Sequence, residues 1–378
     1  MAGEFEYIAW LRSQTPDDPR VVIGPGDDCA ALLPGSRPLL VTTDMLMDGT
    51  DFVLASVGPR RAGRKAMSVN LSDIAAMAGV PTAAVVSVAL PKGPTPSPAL
   101  KGGEQQEAPS PTPSPRGEGL KTEERPVLSP PSLSGKEVGG LGSSSSSPSL
   151  QDGGWGGGAS GTGGVGSPHG IDLARELYLG LRDVADAFGV ALVGGDTNSW
   201  DGKLAISVTA LGEATARGPV RRNGAKPGDW LFVTGPLGGS ILGHHLDFTP
   251  RVREALCLHA TVEIHAMIDI SDGLAADVNH ICAESACGAV LVAERIPIAD
   301  AARTLSATSG RTPLMHALGD GEDFELVFAV SPEVGQRLLN EPPVPGLTKI
   351  GECVESGLWL EEGGVRKPLT PTGWVHDL

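Results

Sequence analysis

The sequence has no apolar run of the roughly 18–20 residues that a membrane-spanning helix requires. Its first segment, MAGEFEYIAWLRSQ, is acidic and amphipathic and lacks the basic and apolar regions of a secretory signal. The five cysteines form no CxxC pair, so we expect no disulfide framework and interpret Cys282 and Cys287 as core thiols. These absences predict a cytoplasmic protein without a membrane partner.

Basic residues are few, because 29 Lys and Arg stand against 45 Asp and Glu and the formal net charge is −16. A field of this sign repels nucleic acid, so we expect no nucleic-acid partner. Solubility explains most of the acidic excess. It does not explain why carboxylates are grouped where apolar runs pass into turns, at residues 26–28, 42–44, 70–73, 194–197, 269–273 and 319–323.

The motifs of several enzyme mechanisms are missing. The chain has no GxxxxGK[ST] loop, no GxGxxG between a strand and a helix, no kinase-type HRD or DFG element and no GxSxG. The histidines at 244, 245, 259 and 265 have no convincing zinc-binding arrangement. We therefore expect neither a covalent nucleophile nor a general base among the catalytic residues.

The acidic groups are the main positive signal. Crowded carboxylates are costly unless a cation compensates them, and almost no basic residue stands beside these six groups. Carboxylate and hydroxyl oxygens are hard ligands that suit Mg²⁺, which commonly accompanies a phosphate substrate. The pattern predicts an enzyme of phosphoryl chemistry.

Composition changes to Pro, Ser and Gly between about residues 94 and 168. Such a segment buries too little apolar surface to offset its ordering entropy, so we predict a disordered insertion. We interpret it as a tolerated surface-loop insertion, with a polyproline-II ligand for a partner as the alternative. The N-terminal domain is placed at 1–215, interrupted by this insertion, and the C-terminal domain at 216–378.

Apolar periodicity outside the insertion predicts alternating strands and helices, hence α/β layers. Gly288 is expected to cap the helix that follows 269–273. Strands are predicted within 37–46, 82–91, 190–196, 204–214, 226–240, 289–297, 324–330 and 347–354, with one ending at Asp269, and helices within 4–14, 60–79, 171–189, 238–246 and 272–288.

The individual acidic motifs leave alternatives open. GDD at 26–28 is either a turn or a metal site, and TTD at 42–44 is either the end of a strand or a Mg²⁺ pair. Asp73, in the apolar stripe of a helix, either caps locally or faces a polar cavity. Asp196 after paired glycines belongs either to a tight turn or to a close approach to a ligand.

The segment DISDG at 269–273 is the sharpest of these signals. Asp269 ends a strand and Asp272 lies at or just inside a helix start, where free N–H groups suit phosphate. An ordinary N-cap explains one aspartate but not both. Glu322, between two aspartates, is either in a solvated acidic turn or functional.

Read in order, these motifs resemble the thiamine-monophosphate kinase family of the aminoimidazole-ribonucleotide synthetase and selenophosphate synthetase superfamily. The resemblance rests on segments that cover most of the chain outside the insertion: GEFEYIAWL, GPGDDCAAL, TTDMLMDGTDF, KAMSVNLSDIAAMAGVP, LVGGDTNS, RRNGAKPGDWLFVTG, AMIDISDGLAADVNHI, GDGEDFELVF and PTGWVHDL.

The resemblance implies a two-domain α/β fold of the AIR-synthetase type, with mixed sheets packed against helices. It also implies a homodimer formed through N-terminal-domain strands. The implied reaction transfers the γ-phosphoryl group of ATP directly to thiamine phosphate with the help of several Mg²⁺ ions, giving thiamine diphosphate and ADP.

Residue roles follow from the same resemblance. Family members often carry His where this chain has Asp51, and the insertion precedes the helix of Tyr178. The implied metal ligands are Asp28, Thr42, Thr43, Asp44, Asp73, Asp196, Asp269 and Asp272. The implied nucleotide contacts are Tyr178, Gly195, Asp196, Arg222 and Ser271, and the implied thiamine-phosphate contacts are Asp51, Glu322 and Trp374.

Two further hypotheses remain. Another ATP-dependent synthetase of the superfamily would activate a different oxygen acceptor, and it would not respond to thiamine phosphate. A non-enzymatic, divalent-ion-binding protein whose insertion docks a partner would bind metal without nucleotide turnover.

Overall fold

Two main sheets form the framework of the protein in a computed structural model that describes residues 10–11, 13–14, 16, 18–23, 31–32, 35–92 and 170–373. A separate short antiparallel pair consists of β1 (Val21–Ile23) and β2 (Ala31–Leu32). The predicted insertion lies outside the described residues, and our division at 215/216 stays a prediction.

The first sheet has four strands in the order β3-β6-β4-β5. Strand β4 pairs in parallel with β5, whereas β6 runs antiparallel to both β3 and β4. These strands are β-branched or alternate in burial, as a sheet with one covered face requires. Their bounds are β3 (Leu39–Met47), β4 (Val80–Pro91), β5 (Ala191–Trp200) and β6 (Ala205–Glu213).

Two long helices, α1 (Leu54–Ala76) and α2 (Gly170–Phe188), pack against each other and cover one face of this sheet. Helix α1 is broken at Gly58, where φ is +74°, and resumes at Pro59. The helices approach closely because both contact positions are glycines. A Cβ at Gly63 would lie 2.2 Å from the Leu177 carbonyl oxygen, and one at Gly180 would lie 1.9 Å from that of Arg60.

The second sheet has seven strands in the order β13-β12-β9-β11-β7-β10-β8, and only the β9–β12 pair is parallel among these strands. Strand β8 forms one edge, and α1 contacts it. The strands are β7 (Trp230–Val233), β8 (Ala266–Asp269), β9 (Gly288–Val292), β10 (Leu326–Val330), β11 (Thr348–Val354), β12 (Leu358–Glu362) and β13 (Val365–Pro368).

The core divides between the two faces of the seven-stranded sheet. Phe232 and Phe328 on one face belong to the same apolar cluster as α1, α2 and the four-stranded sheet. A second cluster, with Ile268 and Leu291, lies on the other face. The shorter helices are α3 (His244–Asp247), α4 (Val252–Thr261), α5 (Leu274–Ser285), α6 (Asp300–Ser309), α7 (Pro313–Gly319) and α8 (Pro332–Asn340).

Most predicted elements are present near their expected places, and the mixed α/β class is confirmed. Of the opening helix, the described residues 10–11 and 13–14 are helical. The expected cap at Gly288 is wrong. Helix α5 ends at Ser285, Ala286 takes the left-handed conformation (φ +52°), and Gly288 begins β9. A Cβ at Gly288 would lie 2.3 Å from the Gly357 carbonyl oxygen, so close strand contact requires this glycine.

None of the helices in the described part of the chain has the length and apolar content that a membrane crossing requires.

Candidate active site

Three predicted metal ligands from three separate elements lie close enough together for their charges to interact. Asp44 lies on β3, Asp73 near the end of α1, and Asp269 at the last position of β8. The hydroxyl of Thr42 donates a hydrogen bond to Asp73 Oδ2. The hydroxyl of Ser72 donates a 2.6 Å hydrogen bond to Asp269 Oδ2. Each hydroxyl fixes one carboxylate and leaves its other oxygen to a ligand.

Burial raises the pKa values of all three carboxyl groups, and repulsion by neighbouring carboxylates adds to the shift for Asp44 and Asp269. Burial, followed by the charges of Asp73, Asp269 and Asp51, raises the pKa of Asp44 to about 7. Burial and the charge of Asp73 also raise the pKa of Asp269. The pKa of Asp73 is raised by burial, although the Thr42 hydrogen bond and the Arg222 charge oppose the shift. Ionising all three groups therefore requires additional positive charge.

The three carboxylates fit a hard divalent cation. Asp44, Asp73 and Asp269 supply oxygen ligands, and a bound cation would offset the cost of burial that raises their pKa values. Thr42 adds a hydroxyl oxygen beside Asp73. These residues could hold Mg²⁺, which in other proteins is bound by a few carboxylates together with substrate phosphates.

A cavity of about 480 Å³ opens beside this carboxylate cluster. Thr42 and Asp73 line it, together with Arg222, which was predicted to contact the nucleotide. The volume falls in the range of small-molecule sites. Its apolar wall consists of Leu40, Val41, Ile74, Ala76, Met77, Val220 and Met267. The cavity therefore combines an apolar surface for a ring system with two guanidinium groups, of Arg221 and Arg222, and two carboxylates, of Asp73 and Glu284, for charged groups.

The loop after β8 differs from the prediction in one respect. Helix α5 begins at Leu274, so Asp272 precedes it by two residues. Asp277 Oδ2 accepts hydrogen bonds from the backbone N–H groups of Asp272 (3.2 Å) and Gly273 (3.0 Å). Those two amides are therefore already occupied and are not free for phosphate. Burial and the charges of Asp269 and Asp272 raise the pKa of Asp277 to about 8.

Asp272 itself lies beside Asp277 and His280. One ligand atom from each of the three side chains lies within 4.8 Å of the others. The preceding Ser271 is anchored by its carbonyl oxygen, which accepts a 2.7 Å hydrogen bond from the Glu322 N–H. This hydrogen bond connects the loop to the segment that carries Glu322, which was predicted to contact the phosphate acceptor.

Asp51 and Glu322 were predicted to contact the phosphate acceptor. Both accept a hydrogen bond from the same buried ammonium group. Lys65 Nζ donates hydrogen bonds to the Asp51 carbonyl oxygen (2.7 Å) and to Glu322 Oε1 (2.5 Å). The Asp51 carboxylate accepts a 2.7 Å hydrogen bond from the Met47 N–H, so this side chain stabilises a turn.

Three residues that were predicted to bind metal or nucleotide do not reach the carboxylate cluster of Asp44, Asp73 and Asp269. Thr43 faces the opposite side of β3 from Asp44, because side chains alternate along a strand, and its hydroxyl donates to the Val208 carbonyl oxygen at 3.1 Å. Gly195 and Asp196 lie on β5, the other edge strand of the sheet. Asp44 and Gly195 share a row across the sheet but are three strand spacings apart, about 14 Å.

The glycine before Asp196 is not part of a tight turn, and its predicted contact with the nucleotide stays a prediction. Strand β5 continues through this position, with a register shift against β4 just before it, so there is no tight turn. A Cβ at Gly195 would lie 1.9 Å from the Val86 carbonyl oxygen, so the close approach of the neighbouring strand requires glycine here.

Tyr178 lies apart from the 480 Å³ cavity. Its ring contacts Trp10 edge-to-face at 5.2 Å between centroids, and the Arg182 guanidinium lies 6.0 Å from its centroid. It lines a separate cavity of about 160 Å³ with Asp18 and Leu192. The structure therefore does not bring Tyr178 to Arg222. The predicted ligand Asp28 and the predicted acceptor contact Trp374 lie outside the described residues.

The sequence motifs did not indicate roles for Lys65, Ser72 and Asp277. A signal for Lys65 was available, since a lysine within the apolar stripe of a buried helix needs a partner. Asp277, eight residues after Asp269, could have been interpreted as an acid in the first turn of a helix.

Comparisons with known proteins identify the family of this chain. The family model described as AIR synthase related protein, N-terminal domain, matches residues 26–105 and 160–214, and the C-terminal domain model matches 226–358. A thiamine-monophosphate kinase of Rhodopirellula baltica is 34% identical over 383 residues, which cover 99% of this chain and 97% of the relative. The chain belongs to the thiamine-monophosphate kinase family.

Solved structures of the thiamine-monophosphate kinase family have the same fold. The enzyme of Stenotrophomonas maltophilia K279a is 26% identical with a TM-score of 0.64, and the match covers 96% of both chains. AaThiL complexed with AMPPCP and TMP is 24% identical with a TM-score of 0.63, over 100% of this chain and 97% of that one. The AIR-synthase-like fold expected from the sequence is confirmed.

Proposed function

We propose that this chain transfers the γ-phosphoryl group of ATP to thiamine phosphate, forming thiamine diphosphate and ADP. The observation that carries the proposal is the convergence of Asp44, Asp73 and Asp269 beside the cavity that Arg222 lines. The 34% sequence identity to a thiamine-monophosphate kinase, over nearly the whole length of both chains, supports thiamine phosphate as the acceptor. AaThiL complexed with AMPPCP and TMP supports the same pair of substrates.

The transfer needs no nucleophile from the protein. An oxygen of thiamine phosphate forms a bond to the γ-phosphorus of ATP while the bond from that phosphorus to the β–γ bridging oxygen breaks, and ADP leaves. Since the second pKa of a phosphate monoester is about 6, the attacking oxygen is mostly ionised at neutral pH. The chain's task is to align two anions and to reduce their repulsion.

We assign Asp44, Asp73 and Asp269 to holding Mg²⁺, with Thr42 beside them and Asp272 at the edge of the group. Bound Mg²⁺ would supply the positive charge that phosphate oxygens and these carboxylates both need. Thr42 and Ser72 orient the carboxylates through the hydrogen bonds described above. Arg222 supplies a fixed positive charge to the nucleotide phosphates, and the apolar wall of the cavity accommodates the base.

The active form is proposed to be a homodimer that uses the outer face of the four-stranded sheet. Leu39, Val41 and Met45 on the edge strand β3 are 60–63% exposed, an unusual apolar surface for a monomer. Asp196 shares this face, because it lies in one row with Ser87, Ser207 and Met45. A second copy packed on this face would place Asp196 beside the partner chain's site, which Asp196 would help to complete.

The dimer is tested by light scattering after size exclusion. We expect Met45→Glu to shift the protein from dimer to monomer and to reduce turnover. Met315→Glu, at a 50% exposed apolar position on α7, is the matched control and should leave the mass unchanged. A monomeric unmodified chain with full activity would refute this part of the proposal.

The reaction is tested by steady-state assay with ATP, Mg²⁺ and thiamine phosphate, following thiamine diphosphate. We expect product only when all three are present. A panel of other oxygen acceptors tests the related-synthetase hypothesis, which predicts ADP formation with one of them and none with thiamine phosphate. Because the reaction consumes ATP, we also propose that the chain acts in the cytoplasm.

A further inference from the structure

Lys65 is one of the largest side chains that the fold buries completely, with 1% of its surface exposed. It lies on α1, among alanines and methionine that form the apolar stripe of the helix. Burying an unpaired ammonium group costs several kcal/mol, so a lysine in this position must be compensated by defined partners.

The partners of Lys65 come from two distant parts of the chain. Its Nζ donates to the carbonyl oxygen of Asp51, 14 residues earlier, and to Oε1 of Glu322, 257 residues later. The Glu322 side chain is 35% exposed, whereas Lys65 is not. One carboxylate oxygen therefore faces the buried ammonium, and the exposed part of the group can accept a hydrogen bond from a ligand.

The loop that carries Glu322 is held in an unfavourable backbone conformation. Glu322 and Phe324 have φ values of +53° and +50°, in the left-handed region that residues other than glycine rarely adopt. Backbone hydrogen bonds from Glu322 to Ser271 (2.7 Å) and from Phe324 to Ile270 (2.8 Å) hold the loop to the end of β8. Such strain is typical of positions where a side chain must be held in one place.

Helix α1 connects this contact to the carboxylate cluster. Lys65 and Ser72 are seven residues apart, so they lie on the same face of the helix at a separation of about 10 Å. Lys65 holds Glu322, and Ser72 holds Asp269. One rigid element thus sets the spacing between Glu322 and the proposed metal-binding carboxylates.

We propose that Lys65 is a positioning residue for the phosphate acceptor. It holds the carboxylate of Glu322 and the backbone of Asp51 at a fixed place, where Glu322 accepts a hydrogen bond from the amino group of the acceptor's pyrimidine ring. Lys65 does not contact ATP. This inference rests on the proposed function, because the acceptor it concerns is thiamine phosphate.

The test compares Lys65→Met, Glu322→Gln and the double variant with the unmodified chain, varying thiamine phosphate and ATP separately. Loss of a charged hydrogen bond predicts an increase in the KM for thiamine phosphate of about tenfold or more in each single variant. The KM for ATP should change less than about twofold. The double variant should lose little more than either single variant, because both remove one interaction.

Lys92→Met is the matched control, since Lys92 is half exposed and pairs with the exposed Asp201 at 3.2 Å. It should leave both KM values unchanged. Calorimetric binding of AMPPCP with Mg²⁺ to Lys65→Met checks that the nucleotide site is intact, with an affinity close to that of the unmodified chain.

A failure of the proposed function and a failure of the inference about Lys65 would give different results. If the unmodified chain forms no thiamine diphosphate, the proposed function is overturned and this inference with it. If it does form product, but Lys65→Met raises both KM values equally, lowers only kcat or binds AMPPCP more weakly, then Lys65 has a general structural role and the inference alone is overturned. Additive losses in the double variant would also overturn it.

Discussion

Ser72 on α1 donates a 2.6 Å hydrogen bond to Asp269 at the end of β8, although 197 positions separate the two residues. The contact joins the helix of the four-stranded sheet to the edge of the seven-stranded sheet. It also lowers the pKa of Asp269, against the larger effect of burial. A hydroxyl that no motif required therefore helps to keep a proposed metal ligand ionised.

Replacing Ser72 by alanine should weaken metal use. Without the hydroxyl, the pKa of Asp269 rises further, so a higher pH or more Mg²⁺ is needed to reach the same rate. We expect the Mg²⁺ concentration for half-maximal activity at pH 7 to rise about tenfold. Titrations of Mg²⁺ at pH 7 and pH 8.5 measure this, and the difference from the unmodified chain should shrink at the higher pH.

Ser306→Ala is the control for that prediction. The Ser306 hydroxyl donates to the Ala302 carbonyl oxygen at 2.7 Å within α6. Its loss should not change the Mg²⁺ dependence, and a similar shift in both variants would contradict the role given to Ser72.

Asp44→Asn should have opposite effects on activity and on metal-free stability. We expect turnover to fall by about a thousandfold or more, since a charged ligand of the phosphates' metal is lost. In EDTA the variant should be more stable than the unmodified chain above pH 5, because burial and neighbouring carboxylates raise the pKa of Asp44 to about 7 and make its ionised form unfavourable.

Thermal unfolding with EDTA and with Mg²⁺ measures both effects. Mg²⁺ should stabilise the unmodified chain more than the variant. Asp201→Asn is the control, since the Asp201 side chain is 88% exposed. A thermal shift on adding Mg²⁺ that is equal in Asp44→Asn and the unmodified chain would argue against Asp44 as a ligand.

Asp323→Asn should change the dependence of stability on pH. Burial is the main cause that raises the pKa of Asp323 to about 8, although the Gly238 N–H donates to it at 2.8 Å. A raised folded-state pKa gives stability that is complete below the unfolded-state pKa and is lost as pH rises through about 8. The asparagine variant has no such loss.

The measurement is chemical denaturation at pH 5 and pH 8. We expect the unfolding free energy of Asp323→Asn, relative to the unmodified chain, to be higher at pH 8 than at pH 5 by about 1–3 kcal/mol. Asp320→Asn is not a suitable comparison because Asp320 pairs with Arg311 at 2.8 Å. Asp300→Asn, at the start of α6, serves instead, and it should show no such gain.

Gly180→Ala should destabilise the fold strongly. The added Cβ would lie 1.9 Å from the Arg60 carbonyl oxygen and would force α1 and α2 apart. Overpacking against backbone costs about 1–3 kcal/mol or more, which should lower the melting temperature by several degrees. Gly170→Ala, in the first turn of the same helix with no atom within 4 Å of the new Cβ, should be neutral or stabilising.

How much the sequence could predict depended on the range of the interaction. The strands around Asp44 and Asp269 were predictable because β-branched and apolar runs determine them locally. The cap at Gly288 was predicted wrongly, since glycine in a sequence signals either a left-handed residue or a close approach. At Gly288 the glycine permits a close approach, and Ala286 is the residue that takes the left-handed conformation.

Acidic motifs in a fixed order predicted a metal-binding group, and the charges of Asp73 and Asp269 do act on Asp44. Metal binding by these residues stays a prediction. Asp196 shows the limit of that reasoning. Its motif has the right residue type, but strand order places it on the opposite edge and outer face of the sheet. A single sequence contains no information about whether a second copy completes the site.

The sequence by itself determined which hard oxygen ligands this protein offers, and the strands and helices on which they lie. These properties follow from residue types and from short-range periodicity. Only the tertiary structure decided which groups share a site, because burial and distance are set by packing between remote segments. It pairs Lys65 with Glu322 and Ser72 with Asp269, and it pairs the backbone amide of Gly273, just before α5, with Asp277.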